Sequence, residues 1–530
     1  MIPRPELIRD LSASYVLTSN ATVSGDLVDA VRAALFRLDP LPGDSGEIDV
    51  RRDPELGEEA YRLTVGSRGV EIVAGGRAGA FYAAQTLHQL LPGASYRFSA
   101  GASWQVPGVR IEDAPCFSWR GLHLDVARHF FPKREILRLI DLMAAHKLNR
   151  LHLHLVDDQG WRVESRAYPL LHEVASHRPR TATHYYREPE SYDDLPHGGY
   201  YTLDDLSEMA AYARSRCVTI VPEIDVPGHA SAILAAYPEF GATGERHDVL
   251  DRWGISPAIL SPLPPTVKFL TTIFDELIGA LGETPYVHIG GDEVVLDHWA
   301  ASAEIAAYRE SLGLATVNDL QAWFLRQLAD ALAERGARAV VWDEAFVSGG
   351  LRQDTIVMPW RGMNVGRRAA AAGHDVVATP LFPLYFDYSE ASSADEPMAI
   401  GDGPTVADVA AFSPLPEDWT AEERARVLGV QAQLWTERVP DARTVDYRLW
   451  PRACALAEVA WAGAAAEDFD GRLAGHLGRL DALGVEYRPA AGPHPWQRRR
   501  PHRPGVVTVT DVMARLDGMT LDAESTRPSM

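Results

Sequence analysis

The sequence predicts an α/β fold: a (β/α)8 TIM-type barrel preceded by a small α+β accessory domain. Three observations lead there. Short apolar runs of β-rich composition alternate with longer amphipathic stretches eight times over about 350 residues, within the span of such barrels, roughly 200 to more than 400 residues. The alternation begins only at about Phe117, after a stretch of different character. An open doubly wound sheet normally carries a glycine-rich phosphate turn after its first strand, and none is present here.

Taken in order, residues 1–112 read as the accessory domain. Tyr61–Val65 and Val70–Val73 flank a Gly-Ser-Arg-Gly turn as two strands. Gly75-Gly76 punctuate next, and a helix is expected from Ala78 to Leu91, before Pro92-Gly93. No reactive side chains cluster here, so a supporting role is expected. Residues 113–488 are expected to form the barrel. Its strands are expected at Gly121–Val126, Arg150–Val156, Val218–Pro222, Tyr286–Ile289, Ala339–Trp342, Thr355–Met358, Asp375–Ala378 and Val430–Leu434. Helices are expected at Lys133–His146, Leu203–Arg216, Thr266–Leu281, Asn318–Arg335, Val365–Ala372 and Tyr447–Trp461. Two connections, His172–Tyr201 and Tyr388–Arg426, are long enough to be functional or mobile. Residues 489–530 are expected to be a weakly ordered polar tail.

Composition bounds the function. With 46% hydrophobic and 23% charged residues the chain matches an ordinary globular protein. A net charge of −22 excludes a nucleic-acid partner, whose phosphates need a basic face. Cys116, Cys217 and Cys454 are odd in number and widely spaced, which excludes a disulfide framework; each is expected to be a buried, inert thiol. The start, Met1-Ile2-Pro3-Arg4-Pro5-Glu6, lacks the basic and apolar regions of a signal peptide, and no apolar run reaches the ~20 residues of a membrane span. A cytoplasmic protein with no membrane partner is the expectation.

Barrel active sites form at the C-terminal ends of the strands, so the residues just past each run are the informative ones. Arg128-His129 come after the first and Asp157-Asp158 after the second. Glu223, Asp225 and His229 come after the third, and Asp292-Glu293 after the fourth. Trp342, Asp343 and Glu344 close the fifth, and Trp360-Arg361 the sixth. Tyr385 and Asp387 lie beyond the seventh, and Trp435 and Glu437 beyond the eighth. Carboxylates and an arginine can hydrogen-bond hydroxyls, and indole faces pack on the apolar face of a pyranose. Clustered carboxylates also keep one of their number protonated, as protonation of a glycosidic oxygen requires. His152 and His154 alternate within a strand and are expected to be hydrogen-bonded core groups, so neither a metal nor a cofactor is called for. Asp158 reads as a helix cap or turn residue.

The strings D-V-A-R-H-F-F-P (Asp125–Pro132), L-H-L-H-L-V-D-D-Q-G-W-R (Leu151–Arg162), P-E-I-D-V-P-G-H (Pro222–His229) and H-I-G-G-D-E (His288–Glu293) resemble glycoside hydrolase family 20. So do V-V-W-D-E (Val340–Glu344), Y-F-D-Y (Tyr385–Tyr388) and L-W-T-E (Leu434–Glu437), all in family order. The resemblance implies a retaining exo-β-N-acetylhexosaminidase that removes terminal β-linked GlcNAc or GalNAc by substrate-assisted catalysis through an oxazolinium intermediate. By motif position it implies that Glu293 is general acid and then base, that Asp292 holds the acetamido N–H, and that Tyr385 donates to the acetamido oxygen. It implies further that Trp342, Trp360 and Trp435 wall the acetamido pocket and that Arg128, Asp387 and Glu437 bind hydroxyls. Asp157 and His229 would be a pair behind Glu293 that sets its protonation. The partner is then a small glycan or glycoconjugate. Another specificity of the family (lacto-N-biosidase or phosphosugar-directed) and a non-catalytic sugar-binding barrel are the alternatives. Adjacent residues of a strand point to opposite faces, so Asp292 and Glu293 work together only if the strand has ended, and Gly290-Gly291 provide that freedom.

Overall fold

The computed structural model of the chain describes residues 1–97, 102–185, 190–498, 508, 511–513 and 516. Among these residues the N-terminal sheet has seven strands: β1 (Leu7–Thr18), β2 (Thr22–Gly25), β3 (Leu41–Pro42), β4 (Ile48–Arg52), β5 (Tyr61–Gly66), β6 (Gly69–Ala74) and β7 (Ser103–Asp113). Their spatial order is β1-β7-β5-β6-β4-β2-β3. β5 and β6 are the expected hairpin, and Tyr61, Leu63 and Val65 alternate inward along β5. A helix at Arg77–Leu90 covers the sheet with almost every residue buried.

Side-chain hydrogen bonds join this domain to the barrel. Arg120 Nη2 donates to Glu59 Oε1 at 2.7 Å and to the Tyr82 hydroxyl at 2.9 Å. Lys147 Nζ donates to Asp113 Oδ2 and to the Tyr61 hydroxyl, each at 2.8 Å. Trp461 Nε1 donates to the other oxygen of Asp113 at 2.9 Å. Arg120 and Lys147 are essentially inaccessible, so these contacts replace water for two cations.

Eight parallel strands then close a barrel: β8 (Trp119–Asp125), β9 (Arg150–His154), β10 (Thr219–Glu223), β11 (Tyr286–His288), β12 (Arg338–Trp342), β13 (Ile356–Met358), β14 (Val376–Ala378) and β15 (Val427–Ala432). Gly429 of β15 lies opposite Trp119 of β8 and completes the ring. Each predicted run coincides with one of these strands, within a few residues at either end. Val221, Val340, Trp342, Ile356, Met358 and Val377 pack with Trp119 as a cluster apart from the main core, the layered filling expected inside such a barrel. Outside, the helix Lys133–Ala145 turns Ile136, Leu139, Ile140 and Met143 inward at three- and four-residue spacing. Thr202 and Thr316 begin Leu203–Ser215 and Val317–Glu334 with reciprocal caps to Asp205 and Asp319.

Several expectations are corrected. Tyr447–Trp461 is not one helix: Ala442–Leu449 and Arg452–Ala462 are separated at Trp450-Pro451, because proline cannot continue the hydrogen-bond ladder. The connection after Tyr388 carries short helices at Val406–Ala411 and Ala421–Ala425, and that after His172 carries a two-residue pairing of His177–Arg178 with His197–Gly198. Cys454 is buried, but Cys217 is half-buried and Cys116 is exposed. Part of the expected tail is ordered against the barrel, through Thr508, Asp511–Met513 and Leu516; the remainder of residues 499–530 lies outside the described residues. Among the described residues no helix is long and apolar enough to cross a membrane.

Candidate active site

β11 stops at His288, and Gly290 and Gly291 then take φ of 65° and 96°. The turn is crowded as well as left-handed: a Cβ on Gly290 would sit 1.6 Å from Asp225 Oδ1, which accepts the Gly291 N–H at 3.3 Å. Only glycine fits. Glu293 itself has φ 51°, and its N–H donates to Glu344 Oε2 at 3.2 Å. The strand has therefore ended before the two carboxylates, and both reach one cavity.

That cavity, of about 320 Å3, is lined by Arg128, Asp157, His229, Asp292, Glu293, Trp360, Tyr385, Asp387, Trp435 and Glu437. Every residue given a role from the family motifs is there except Trp342. Trp342 lies beneath, packed with Trp360 and Trp435, and its Nε1 donates to Glu223 Oε1 at 2.9 Å. Tyr385 and Asp387 arrive by a route their distance from β14 did not suggest. Leu384 and Phe386 exchange backbone hydrogen bonds with Gln433, just past β15, which draws the segment back to the rim.

The electrostatics divide the carboxylates. Burial, reinforced by Asp225 and Glu293, holds Asp292 well above the usual carboxylate range. Burial and the Glu437 charge do the same to Asp387, and burial raises Glu437 itself. Burial, Asp387 and Asp292 keep the Tyr385 hydroxyl protonated and able to donate. Asp292 Oδ1, Asp387 Oδ1, Glu437 Oε2 and Trp360 Nε1 are buried polar atoms with no hydrogen-bond partner among the described residues. Orphaned buried groups of this kind are costly unless a ligand completes them.

Behind the cavity runs a chain of pairs. Arg128 Nη2 meets Asp157 Oδ2 at 2.8 Å, and its guanidinium lies 5.0 Å over the Trp435 ring. Asp157 Oδ1 lies 3.2 Å from His229 Nδ1, and His229 Nε2 is 3.6 Å from Glu293 Oε2 and 4.0 Å from Asp292 Oδ2. Burial opposes the charged form of His229, but Asp157 and Asp225 outweigh it and hold the imidazole protonated. For Asp157, burial is likewise outweighed, by Arg128 and His229, so it stays ionised. His154 bridges Asp157 at 2.8 Å and Glu223 at 2.5 Å. His152 Nε2 and His288 Nδ1 lie 3.1 and 2.7 Å from Glu223. His152 and His154 are thus hydrogen-bonded groups of the barrel interior. Asp158 Oδ1 accepts the N–H of Ser231 at 2.9 Å, at the first turn of Ser231–Ala236, as a cap supplied from another strand end.

Sequence reasoning left other contributors unassigned. Asp225 lines the cavity and is pushed up to about 7 by burial. Glu344 holds the Glu293 backbone and is also raised to about 7, by burial. Asp343 binds Arg361 at 2.9 Å. Asp225, Asp343 and Glu344 were visible as strand-end acids. Tyr388, which ends the Y-F-D-Y string, lines the cavity too, whereas Leu381, Ile400, Val512 and Leu516, also in its lining, gave no local signal.

The family described as "Glycosyl hydrolase family 20, catalytic domain" matches residues 117–464, and "Glycosyl hydrolase family 20, domain 2" matches residues 1–114. A "Beta-hexosaminidase" of Porphyromonas gingivalis is 36% identical over 510 residues, 92% of this chain; the chain covers 64% of that relative's length. A "Beta-N-acetylhexosaminidase" of Cellulomonas fimi is 32% identical over 92% of this chain and 95% of its own. Among solved structures, the Vibrio harveyi GH20 exo beta-N-acetylglucosaminidase in complex with N-acetylglucosamine aligns at TM-score 0.79 and 31% identity, covering 92% of this chain and 78% of its own. The Streptomyces coelicolor A3(2) GH20 beta-N-acetylhexosaminidase aligns at 0.78 and 30%, covering 93% and 98%.

Proposed function

The chain belongs to glycosyl hydrolase family 20, and from that premise we propose that it is a retaining exo-β-N-acetylhexosaminidase cleaving terminal β-linked N-acetylhexosamines. One observation carries the reading: one buried carboxyl oxygen on each of Asp292, Asp387 and Glu437, in residues lining a single small cavity, has no hydrogen-bond donor among the described residues. A sugar ring brings the missing donors, as hydroxyls for Asp387 and Glu437 and an acetamido N–H for Asp292. The same negative potential that makes Asp292 retain a proton attracts that N–H and the positive charge that grows on it.

The reaction then needs one acid. Glu293 gives its proton to the glycosidic oxygen as the bond to the anomeric carbon breaks. The acetamido oxygen, oriented by the Tyr385 hydroxyl, forms its bond to the same carbon, giving the oxazolinium. An attacker held within the substrate carries a large effective molarity, so no protein nucleophile is required. Glu293, now a carboxylate, takes a proton from water as the water opens that ring, and configuration is retained. His229, held charged by Asp157, stands beside Glu293, with its Nε2 3.6 Å from Glu293 Oε2. Arg128 adds a further hydroxyl contact. Trp360 and Trp435 close around the acetamido methyl with Trp342 packed behind.

The cavity favours this over the alternatives. Its volume, about 320 Å3, is at the low end for small-molecule sites (about 300–1,000 Å3), which suits one terminal sugar better than a released disaccharide. A phosphate would meet the acidic groups of Asp387 and Glu437 and an Arg128 already paired with Asp157. A binding protein would have no use for an acid beside an imidazolium. The test compares an aryl N-acetyl-β-glucosaminide with the aryl β-glucoside that lacks the acetamido group. Only the first should turn over well, and Glu293→Gln should slow hydrolysis of a poor-leaving-group substrate by about 10²–10⁴-fold. Comparable rates on both glycosides, or full activity in Glu293→Gln, would refute the reading.

A further inference from the structure

The cavity has one wall that no barrel strand supplies. Thr508 bridges to Asp402 in the connection after Tyr388. Its N–H donates to Asp511 Oδ2 at 3.1 Å, and the Asp511 N–H donates to Thr508 Oγ1 at 3.0 Å. This reciprocal cap starts a helical turn. Val512 and Leu516, both helical and four residues apart, share one face of it. That face lines the cavity, and with Met513 it packs on the cluster of Leu381, Tyr385 and Tyr388.

The cavity is consequently two-sided. Carboxylates and an arginine meet the hydroxyls of the ring, and tryptophans meet the acetamido group. What remains of the substrate is the leaving group, and what remains of the cavity, beyond Asp225 and Tyr388, is the aliphatic set Leu381, Ile400, Val512 and Leu516. Hydroxyls of a second sugar pressed on that wall would lose water without gaining partners, whereas an apolar leaving group gains by burial. We propose that Val512 and Leu516 form the aglycone wall of this site and select β-N-acetylhexosaminides with an apolar, aryl or alkyl, leaving group over those linked to a second sugar. The proposal rests on the hexosaminidase reading above.

The test uses the full chain and the ratio of kcat/KM for an aryl N-acetyl-β-glucosaminide to kcat/KM for the N-acetylglucosamine β-disaccharide. Comparing that ratio between variants cancels the different intrinsic reactivity of the two leaving groups. Val512→Asp/Leu516→Asp should lower it by about tenfold or more, the scale on which apolar pockets discriminate. Val512→Ala/Leu516→Ala should lower it in the same direction by less, and serves if the charged pair disturbs folding. An unchanged ratio, an equal loss on both substrates or a gain on both would overturn the proposal. So would a ratio that responds only to lengthening of the N-acyl group, which would place the wall at the other end of the sugar. A wild-type chain inactive on both substrates would overturn the hexosaminidase reading with it, whereas an active chain with an unmoved ratio would overturn the wall alone.

Discussion

Glu223 and Asp292 are both buried carboxylates at the mouth of the barrel, yet their surroundings give them opposite charge states. Around Glu223 stand three imidazoles and the Trp342 indole. Burial works against its ionisation, but His288, His154 and His152 outweigh it and hold the group well below the usual carboxylate range. Asp292 is also buried, but Asp225 and Glu293 are its near neighbours and Oδ1 has no partner among the described residues, so it is held well above. Burial alone therefore fixes neither charge nor role. A carboxylate whose donors come from the protein is part of the foundation, and one whose donor must come from outside is part of the site.

Removing the first should cost the fold most. Glu223→Gln leaves His154 charged and short of an anion, and removing one partner of a buried pair typically destabilises by about 3–5 kcal/mol. Denaturant unfolding followed by fluorescence would measure it, and an unchanged midpoint would collapse the distinction.

The second removal should be kinetic. Asp292→Asn should lower kcat on N-acetyl substrates by about 10²–10³-fold, the scale of one lost transition-state contact, while the melting temperature stays close to wild type. A large drop in melting temperature with intact kinetics would reverse the assignment of the two carboxylates.

The smallest effect tests the idea that burial of a carboxylate is itself a stability cost. Glu344 is raised to about 7, chiefly by burial. A carboxyl whose folded pKa exceeds its unfolded value, about 4.3, stabilises the fold fully below the lower value and loses that contribution as pH rises through about 7. Glu344→Gln, which mimics the protonated form, should therefore gain stability relative to wild type at pH 8 and lose that advantage at pH 5. Parallel unfolding curves at the two pH values decide it; a difference independent of pH would mean that Glu344 titrates alike in both states.

The sequence made one of these two regions far easier to read than the other. Asp292, Glu293, Arg128, Trp435 and Glu437 leave the strands at their ends, and a barrel converts that position directly into proximity. Trp342 shows where the inference stops. It also ends a strand, but its last pleat turns inward, so it supports the cavity from below. Asp225 and Glu344 were visible as acids, but their contacts to Gly291 and Glu293 depend on backbone turns that no spacing encodes. Val512 and Leu516 lie in a polar-looking stretch far along the chain, and only tertiary packing brings them to Tyr385 and Tyr388.

The junction of the two domains carries a lesson about inheritance. Arg120 and Lys147 belong to the barrel, while Glu59, Tyr61 and Tyr82 belong to the first domain, whose sheet ends at Asp113. A barrel transplanted without that domain would carry two stranded interior cations, and the domain alone would keep their unmatched anions. Neither half is a portable module. Recombination that preserves the catalytic rim must exchange both domains together or recode both sides of the seam.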